Sequence, residues 1–315
     1  MNIVFIGASQ FGLRCLNKIV ELNCCNITGV VTAPETFSIS YRPEGVTNVL
    51  YANFYNYCQI HKTNYIQIKN GMNDSTLFEV VQCWKPQMFI VSGWYHKIPK
   101  VWRKLAPAYG LHGSLLPDYS GGAPLVWAII NGEKKTGITF FQLEDGIDNG
   151  PIVGQKSVEI DAEDTIKTLY QRVEILGLQL IEEYIPELIQ GSATLMQQDE
   201  TKRRIFPQRS PEDGLINWEW TATQIYNFIR AQTHPYPGAF TMFNGNKLII
   251  WKSRLVNDIY ESDDLKTGEV LQVNGSFFVQ TGRGIIELLE INYNGNDISK
   301  NEIDINIPKE TIFYS

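Results

Sequence analysis

The chain has few of the residues that build disulfide frameworks, metal sites or membrane spans. Its 315 residues include five cysteines and four histidines. The cysteine count is odd and no two cysteines are spaced as CxxC, which argues against a disulfide framework or zinc site and favours a reducing, cytoplasmic setting. No apolar run approaches the roughly 20 residues that span a bilayer, and residues 1–7 are typical of a strand rather than a signal peptide.

An excess of positive charge is also missing. Lys and Arg number 27 against 34 Asp and Glu, which gives a net charge of −7. Because broad capture of nucleic acid usually needs a basic face, a nucleic-acid partner is unlikely on composition alone. The only dense basic run, residues 202–204 (KRR), is interpreted as part of a solvated linker. The acidic pair Asp145 and Asp148 lacks the ligand count of a calcium loop, so no metal site is predicted.

Strands and helices alternate over the first two thirds of the chain. Apolar periodicity predicts strands at residues 3–6, 27–32, 65–68, 88–92, 137–143 and 152–160. It predicts helices at residues 13–22, 49–61, 75–84, 98–105, 125–131 and 165–190. Residues 33–48 are predicted to be a polar loop. This alternation predicts an α/β fold with a doubly wound, mostly parallel sheet, in which ligands bind at the carboxyl ends of the strands. The turn at residues 7–12 lacks a complete GxGxxG, which argues against a dinucleotide site.

The pattern changes after Gly191. Residues 196–210 are polar and basic and are predicted to be a linker. A helix is predicted at residues 225–231, and short strands at 240–243, 247–253, 268–273, 276–280 and 285–291. Asn-Gly turns at 244–245 and 274–275 and a glycine-rich turn at 282–284 indicate hairpins. We therefore predict an N-terminal domain over residues 1–195 and a C-terminal domain over 211–315 that contains a small antiparallel, OB-like β-barrel.

One histidine and one aspartate are candidates for proton transfer. His112 precedes the apolar turn at residues 114–117, and Asp148 lies 36 positions further on, in a glycine-flanked loop. An imidazole beside a carboxylate at strand ends is a minimal proton-transfer site. Only the fold can bring these two side chains together.

Residues 112–117 (HGSLLP) and 148–152 (DNGPI) resemble the core of the formyltransferase family, which includes methionyl-tRNA formyltransferases and amino-sugar N-formyltransferases. Residues 237–240 (PGAF) resemble its carboxyl-terminal part. The resemblance implies an enzyme that passes the formyl group of N10-formyltetrahydrofolate to an amine. It further implies that His112 polarises the formyl oxygen and shuttles a proton, and that Asp148 orients the imidazole and accepts the amine proton.

The resemblance also implies where the folate and the acceptor bind. The folate residues would be Ser92, Gly93, Trp94, Tyr95, Leu143, Asp145 and Gly146. Such loops suit a flat pterin, although Trp94 and Tyr95 are equally interpreted as packing residues. The acceptor residues would be Ser114, Arg209 and Arg230. The two arginines would pair with a diphosphate, or alternatively serve as structural ion-pair residues.

Two positions depart from the family pattern. Gly110 stands two residues before His112, where the pattern has Asn, and Ser120 stands where relatives often carry Arg. Losing one donor to the oxyanion costs roughly 100- to 1000-fold in rate. Three explanations are open: N–H groups of the glycine-bearing turn or Asn149 supply the donor, the enzyme is slow, or the protein has lost transfer activity.

The acceptor has to be chosen among members of one family. Residues 33–48 hold a single cation, Arg42, whereas relatives that act on tRNA tend to carry a basic loop there. We therefore expect a nucleotide-linked amino sugar as the substrate and no nucleic-acid partner. The alternatives are transfer to methionyl-tRNA, or binding or hydrolysis of formyltetrahydrofolate without transfer, which Gly110 motivates. A homodimer is possible, and the sugar is not identified.

Overall fold

The computed structural model describes residues 1–39, 42–69, 71–256, 265–273, 275–299 and 311–314. The chain forms two compact units. The first unit comprises Met1–Gly121, Thr136–Val158 and Gln171–Phe206. The second comprises Gly122–Lys135, Glu159–Tyr170 and Pro207–Ser315. Each unit draws on more than one stretch of the chain, and the predicted domain boundaries at residues 195 and 211 stay a prediction.

The strands up to residue 206 are β1 (Asn2–Ile6), β2 (Asn26–Thr32), β3 (Thr36–Ile39), β4 (Arg42–Thr47), β5 (Asn64–Gln67), β6 (Met88–Val91), β7 (Ala108–His112), β8 (Ser120–Gly121), β9 (Lys135–Gln142), β10 (Ile152–Glu159) and β11 (Ile205–Phe206). The helices over the same stretch are α1 (Gln10–Glu21), α2 (Phe54–His61), α3 (Ser75–Cys83), α4 (Lys100–Leu105), α5 (Pro124–Ile130) and α6 (Ile166–Gln190), with a short 3-10 helix at Glu200–Lys202.

The first unit is built on a seven-stranded sheet in the order β10-β9-β7-β6-β1-β2-β5. Strands β1, β2, β5, β6 and β7 pair in parallel, and β9 pairs antiparallel to β7. The residues of β6 and those of β1 after Asn2 are fully buried, as expected of parallel strands covered on both faces. The predicted doubly wound, mostly parallel sheet is confirmed. The carboxyl ends of β6 and β7 therefore meet at one edge, which places Ser92 and His112 there.

Helix α1 shows how local sequence fixes an element of this layer. The Ser9 side chain accepts a hydrogen bond from the Gly12 N–H and caps the helix, which therefore begins at Gln10 rather than at the predicted residue 13. The buried face carries Cys15, Leu16 and Ile19 at helical spacing. The cap and the apolar stripe together explain why this segment is helical.

The structure differs from the sequence-based prediction in several segments of the first unit, among them β7 and β8, where no strand was predicted. Residues 33–48, predicted to be a loop, contain the antiparallel hairpin of β3 and β4, in which the buried Phe37 pairs with Val46. Helix α2 begins at Phe54 instead of residue 49, because the Asn53 side chain caps it by accepting from the Tyr55 N–H. The predicted linker contains β11, which pairs in parallel with β8.

The second unit carries α7 (Ala222–Gln232) and the strands β12 (Ala239–Phe243), β13 (Asn246–Val256), β14 (Val270–Val273), β15 (Ser276–Gln280), β16 (Ile285–Tyr293) and β17 (Asn296–Ser299). A short 3-10 helix at Pro211–Gly214 precedes α7. The strands form an antiparallel sheet in the order β12-β13-β16-β15-β14, with β17 also pairing with β16. Isolated bridges join Met242 to Tyr314 and Glu269 to Ile312, as closure of a barrel requires.

The predicted antiparallel domain after α7 is confirmed, and one of its turn signals is directly visible. Asn244 and Gly245 both have positive φ, as the hairpin between β12 and β13 demands. The second predicted Asn-Gly turn includes Asn274, which lies outside the described residues. Strand β17 was not predicted. The core of this sheet is formed by fully buried aromatic rings, among them Trp218, Phe277 and Phe313.

Candidate active site

His112 is the last residue of β7, at the carboxyl edge of the parallel strands. It pairs in register with Thr139 of β9. Its Nε2 lies 2.8 Å from the Tyr119 carbonyl oxygen, which only accepts, so Nε2 donates to it. The ring edge meets Phe141, with ring centroids 6.5 Å apart. The imidazole is thus held on one nitrogen while Nδ1 is left for other chemistry.

A hydrogen-bonded turn follows His112 and fixes its position. The Thr139 hydroxyl donates to the Ser114 carbonyl at 2.6 Å, and Gln155 Nε2 donates to the Leu116 carbonyl at 2.8 Å. Ser114 is 1% exposed, and its hydroxyl donates to the Asp118 carbonyl at 2.7 Å. A buried hydroxyl engaged within its own turn stabilises that turn, and the contact of Ser114 with the acceptor stays a prediction.

The structure brings Asp148 beside His112. One carboxylate oxygen, Oδ2, lies 3.6 Å from His112 Nδ1. The same oxygen accepts a hydrogen bond of 2.7 Å from the Gly121 N–H. Gly121 has φ +94°, and a Cβ there would lie 2.4 Å from the Phe206 carbonyl oxygen, so only glycine fits. A glycine at positive φ thus aims the N–H that orients the carboxylate.

The His112 and Asp148 side chains lie close together without forming a direct hydrogen bond. At 3.6 Å, Nδ1 and Oδ2 are further apart than a direct N–H···O hydrogen bond of about 2.7–3.2 Å. A neutral ring that donates through Nε2 presents a lone pair at Nδ1, whereas a protonated ring presents an N–H. The His112 and Asp148 side chains keep 11% and 24% of their surface exposed. Both groups therefore remain available to a reacting amine.

Gly110, the first departure from the family pattern, lies in the middle of β7 and not in a turn. It pairs with Val91 of β6 and with Phe141 of β9. A Cβ at this position would meet Leu143 Cδ2 at 3.1 Å. The Gly110 backbone belongs to the sheet ladder and Leu143 occupies the space beside it, so Gly110 itself forms no turn, and the explanation that N–H groups of a glycine-bearing turn supply the donor stays a prediction.

Asn149, the other candidate donor, follows Asp148 directly. Its side chain covers Gly146, where a Cβ would lie 2.5 Å from the Asn149 amide carbon. Its Oδ1 is buried and has no hydrogen-bond partner among the described residues. An oxyanion donor would have to be the Asn149 amide nitrogen, whereas the unpartnered atom is the oxygen, which only accepts. The Asn149 alternative therefore stays a prediction.

The residues predicted after β6 have mixed surroundings. Ser92 is buried, and its hydroxyl donates to Cys15 Sγ at 3.5 Å. This contact is part of the packing, and the contact of Ser92 with folate stays a prediction. Gly93 has φ +61°, and a Cβ there would clash with Ser9. Tyr95 is 40% exposed and donates to Asn48 Oδ1 at 2.9 Å.

An aromatic cluster of Phe37, Trp94, Tyr95 and His96 adjoins these residues. The Phe37 ring centroid lies 5.3 Å from those of both Tyr95 and His96. Trp94 Nε1 and His96 Nε2 are buried without a hydrogen-bond partner among the described residues, and burial lowers the pKa of His96. Unpaired buried polar atoms are costly, and a flat ligand with polar edges would relieve them.

Asp145 is surrounded by three cations. Its carboxylate pairs with Arg103 and, at 2.8 Å, with Lys100. Lys97 Nζ donates to its carbonyl oxygen at 2.5 Å. Hydrogen bonds from Arg103 and Lys100 lower the pKa of Asp145 to about 2. Asp145 thus holds these three cations together. A contact of this segment with folate would come from the Asp145 backbone or from the cations that surround it.

The two predicted acceptor arginines belong to the second unit. Arg230 is 8% exposed and donates to the carbonyls of Asp161 and Asp164 at 3.1 and 2.7 Å. This geometry favours the alternative of a structural residue that holds a loop, and the diphosphate contact of Arg230 stays a prediction. Arg209 donates to Gln232 Oε1 at 2.7 Å and lies over the Trp127 ring, 4.7 Å from its centroid. Arg209 is only partly buried, so its assignment stays a prediction.

Two residues near Asp148 were missed by the sequence analysis. Arg203, placed there in a solvated linker, has a side chain only 9% exposed, and it donates to Ser120 Oγ at 2.7 Å. Gln198 Nε2 donates to the carbonyls of Asp148 and Gly150, both at 2.7 Å. The spacing of Glu200 and Arg203 predicts a local ion pair, but nothing in the sequence indicates these distant partners.

Neither a metal-binding cluster nor a membrane-spanning helix is present in the part of the chain that the structure describes. Within the described ranges, no group of three or more His, Cys, Asp or Glu side chains is arranged to hold a metal ion. Over the same part of the chain, no helix combines the length and apolarity that crossing a lipid bilayer requires. The five cysteines are free thiols.

Comparison with known families matches both parts of the chain. The formyl transferase model matches residues 1–185, and the formyl transferase C-terminal domain model matches residues 209–303. A methionyl-tRNA formyltransferase of Pelotomaculum thermopropionicum is 34% identical over 300 residues, covering 94% of this chain and 92% of the relative. One of Caldanaerobacter subterraneus is 30% identical over 318 residues, covering 99% of each.

Solved structures share the fold. The N-formyltransferase from Helicobacter canadensis, in complex with folinic acid and dTDP-3-aminofucose, superposes with a TM-score of 0.66 at 18% identity. The alignment covers 91% of this chain and 98% of that one. At this identity, the likeness shows that the two chains have the same architecture.

Proposed function

Since the chain belongs to the formyltransferase family and is an enzyme of formyl transfer, we propose that it moves the formyl group of N10-formyltetrahydrofolate to the amine of a nucleotide-linked amino sugar. The observation that carries the transfer chemistry is the approach of His112 Nδ1 to Asp148 Oδ2 at 3.6 Å. Two groups that exchange protons and face the same space are what attack by an amine requires.

In the proposed reaction, the acceptor amine attacks the formyl carbon and the bond from that carbon to N10 breaks. The folate supplies the formyl group. Asp148, oriented by the Gly121 N–H, takes the proton that the amine loses. His112 stabilises the oxyanion and returns a proton to the departing N10. No side chain forms a covalent bond to the formyl group. Asp148 has then gained one proton and His112 has lost one, and transfer of that proton from Asp148 to His112 returns both groups to their starting state.

The residues near β6 fit a reduced pterin in one respect. Trp94 Nε1 and His96 Nε2 are buried polar atoms that lack partners among the described residues. A pterin has donors and acceptors along its edges and a flat face that packs against aromatic rings. We assign the folate to this aromatic cluster, with Gly93 and the segment at residues 143–146 beside it.

The preference for a small acceptor rests on charge. Residues 33–48 carry one cation against two acidic residues. Arg203 and Arg204 are each paired with a carboxylate, of Glu200 and Asp118 respectively. Recognition of tRNA depends on unpaired Lys and Arg that neutralise phosphates. These cations are already engaged, which favours a sugar nucleotide.

A second candidate is transfer to methionyl-tRNA. The relatives that bear this name match the chain at 30% and 34% identity over at least 92% of their own length. This is the specific observation in its favour. The salt dependence of binding would separate the two, because binding to tRNA weakens steeply with added salt.

One experiment tests all three activities. Purified protein is incubated with formyltetrahydrofolate alone, with nucleotide-linked amino sugars, or with charged initiator tRNA, and tetrahydrofolate release and the formylated product are measured. We expect release that depends on the amino sugar and is lost in His112→Ala. Equal release without any amine would instead identify a hydrolase, and product only with charged tRNA would identify the second candidate.

A further inference from the structure

Two side chains hold the backbone of the loop that presents Asp148. Gln198 Nε2 donates to the carbonyls of Asp148 and Gly150 at 2.7 Å each. Arg203 Nη1 donates to the Ile147 carbonyl at 3.1 Å and lies 3.5 Å from that of Asp148. Arg203 Nη2 donates to Gln198 Oε1 at 3.0 Å, which joins the two side chains into one unit.

Arg203 also contacts the segment that orients the Asp148 carboxylate. Its Nη1 donates to Ser120 Oγ at 2.7 Å, and Ser120 is fully buried. The next residue is Gly121, whose N–H donates to Asp148 Oδ2. Arg203 therefore joins the two segments whose separation decides where the carboxylate lies.

The surroundings of Arg203 keep it charged and in place. Glu200 pairs with its Nε at 2.5 Å and its Nη2 at 2.6 Å, which raises the pKa of Arg203. Asp148 itself has φ +49°, a left-handed conformation that L-residues other than Asn and Asp rarely adopt. Such a conformation persists only where its surroundings hold it, and the donors on the carbonyls of residues 147, 148 and 150 do so.

We propose that Arg203 is a positioning residue for Asp148, acting through Gln198 and Ser120 to hold the carboxylate beside His112. The inference rests on the proposed function, in which Asp148 accepts the amine proton. It replaces, for Arg203 alone, the interpretation of residues 202–204 as part of a solvated linker. It also means that a guanidinium reaches Ser120 from a segment 83 positions away.

The first test is Arg203→Gln with Lys202→Gln as its control. Lys202 is exposed, and its replacement by Gln removes the same charge from the same segment. Because small displacements of a reacting group cost up to about 100-fold, we expect kcat to fall by roughly 10- to 100-fold in Arg203→Gln. We expect both KM values to stay within about threefold, because ground-state binding is left intact. Lys202→Gln should keep the wild-type kcat.

Two further variants separate positioning from folding. Arg203→Lys keeps the charge with fewer donors and should give an intermediate kcat, and Gln198→Leu should repeat the loss of kcat without a change in KM. Each is assayed at a temperature well below its own Tm. Wild-type kcat in Arg203→Gln, or a loss that disappears when the assay temperature is lowered, would overturn the proposal.

A readout independent of turnover distinguishes this inference from the proposed function. The ring nitrogens of His112 are followed by NMR in the protein without substrates and assigned with His112→Ala. Arg203→Gln should shift these resonances, and Lys202→Gln should not. If the wild-type protein formylates no amine, the proposed function fails, whereas unchanged His112 resonances in Arg203→Gln would refute the positioning role alone.

Discussion

Replacing Gly110 tests whether Leu143 occupies the space that the family pattern gives to an Asn side chain. An added Cβ would lie 3.1 Å from Leu143 Cδ2 and 3.6 Å from the Val91 carbonyl oxygen. Optimal carbon–carbon contacts are about 3.5–4.0 Å, so Leu143 must move by a few tenths of an ångström. The rest of an Asn side chain would add to this crowding, and Leu143 packs against two core clusters of the first unit.

The magnitudes follow from two opposing effects. Replacing glycine within a strand gains about 0.5–1 kcal/mol of conformational entropy, which offsets the single tight contact, so Gly110→Ala should be close to neutral. Gly110→Asn adds overpacking that costs about 1–3 kcal/mol. For a chain of this size, each kcal/mol lowers Tm by no more than about 2–4 °C.

The assay is a double-mutant cycle in thermal and urea unfolding, with wild type, Gly110→Asn, Leu143→Ala and the double variant. Because the smaller side chain at residue 143 makes room for the amide, we expect the double variant to be more stable than the sum of the single effects by about 1 kcal/mol or more. Strictly additive effects would refute the reasoning. The formyl-transfer rate of the double variant is then measured. A faster rate than that of Leu143→Ala would show that the added amide supplies a missing oxyanion donor.

Three other predictions address the site and its support. His112→Ala and Asp148→Asn should each lower kcat by roughly 100- to 10,000-fold with an unchanged circular dichroism spectrum; near-normal turnover in either would remove that residue from the chemistry. Gly121→Ala should cost about 1–3 kcal/mol in urea unfolding and lower kcat, since it disturbs the N–H that orients Asp148; a fully stable, active variant would contradict this. Burial raises the pKa of the Glu174 carboxyl above its ordinary value of 4.5, so the native state binds the carboxyl proton more tightly than the unfolded state does. The free energy of unfolding therefore falls as the pH rises from 4.5 through the native pKa. Glu174→Gln should therefore raise Tm at pH 7 and change it little at pH 4, whereas a lower Tm at pH 7 would mean that the pair with Arg14 outweighs burial.

Several elements could be predicted because their causes are local. Continuous apolar runs identified β1 and β6 as strands buried on both faces, and Asn244 followed by Gly245 identified a hairpin turn. Both signals lie within a few residues of the structure they produce. The same reasoning missed the β3–β4 hairpin, because its alternation is short and interrupted by polar residues.

Other features depend on segments that are distant along the chain. Leu143 fills the space beside Gly110, although Gly110 lies in β7 and Leu143 follows the end of β9. Arg203 reaches Ser120 and the loop at Asp148 from a segment that its composition marks as polar. A charged side chain in a polar stretch is usually solvated. The pairing of β11 with β8 places the Arg203 side chain beside Ser120, where it is only 9% exposed.

The sequence by itself determined the residue types and the edge at which they lie. The apolar runs predict a parallel sheet, and a parallel sheet gathers the carboxyl ends of its strands, so His112 could be expected at that edge, although the strand that carries it, β7, was not predicted. Only the tertiary structure decided that Asp148 Oδ2 comes within 3.6 Å of His112 Nδ1, that Gly121 orients it, and that Arg203 holds its loop. Local propensities act over a few residues, whereas these contacts depend on how strands and loops far apart in sequence pack together.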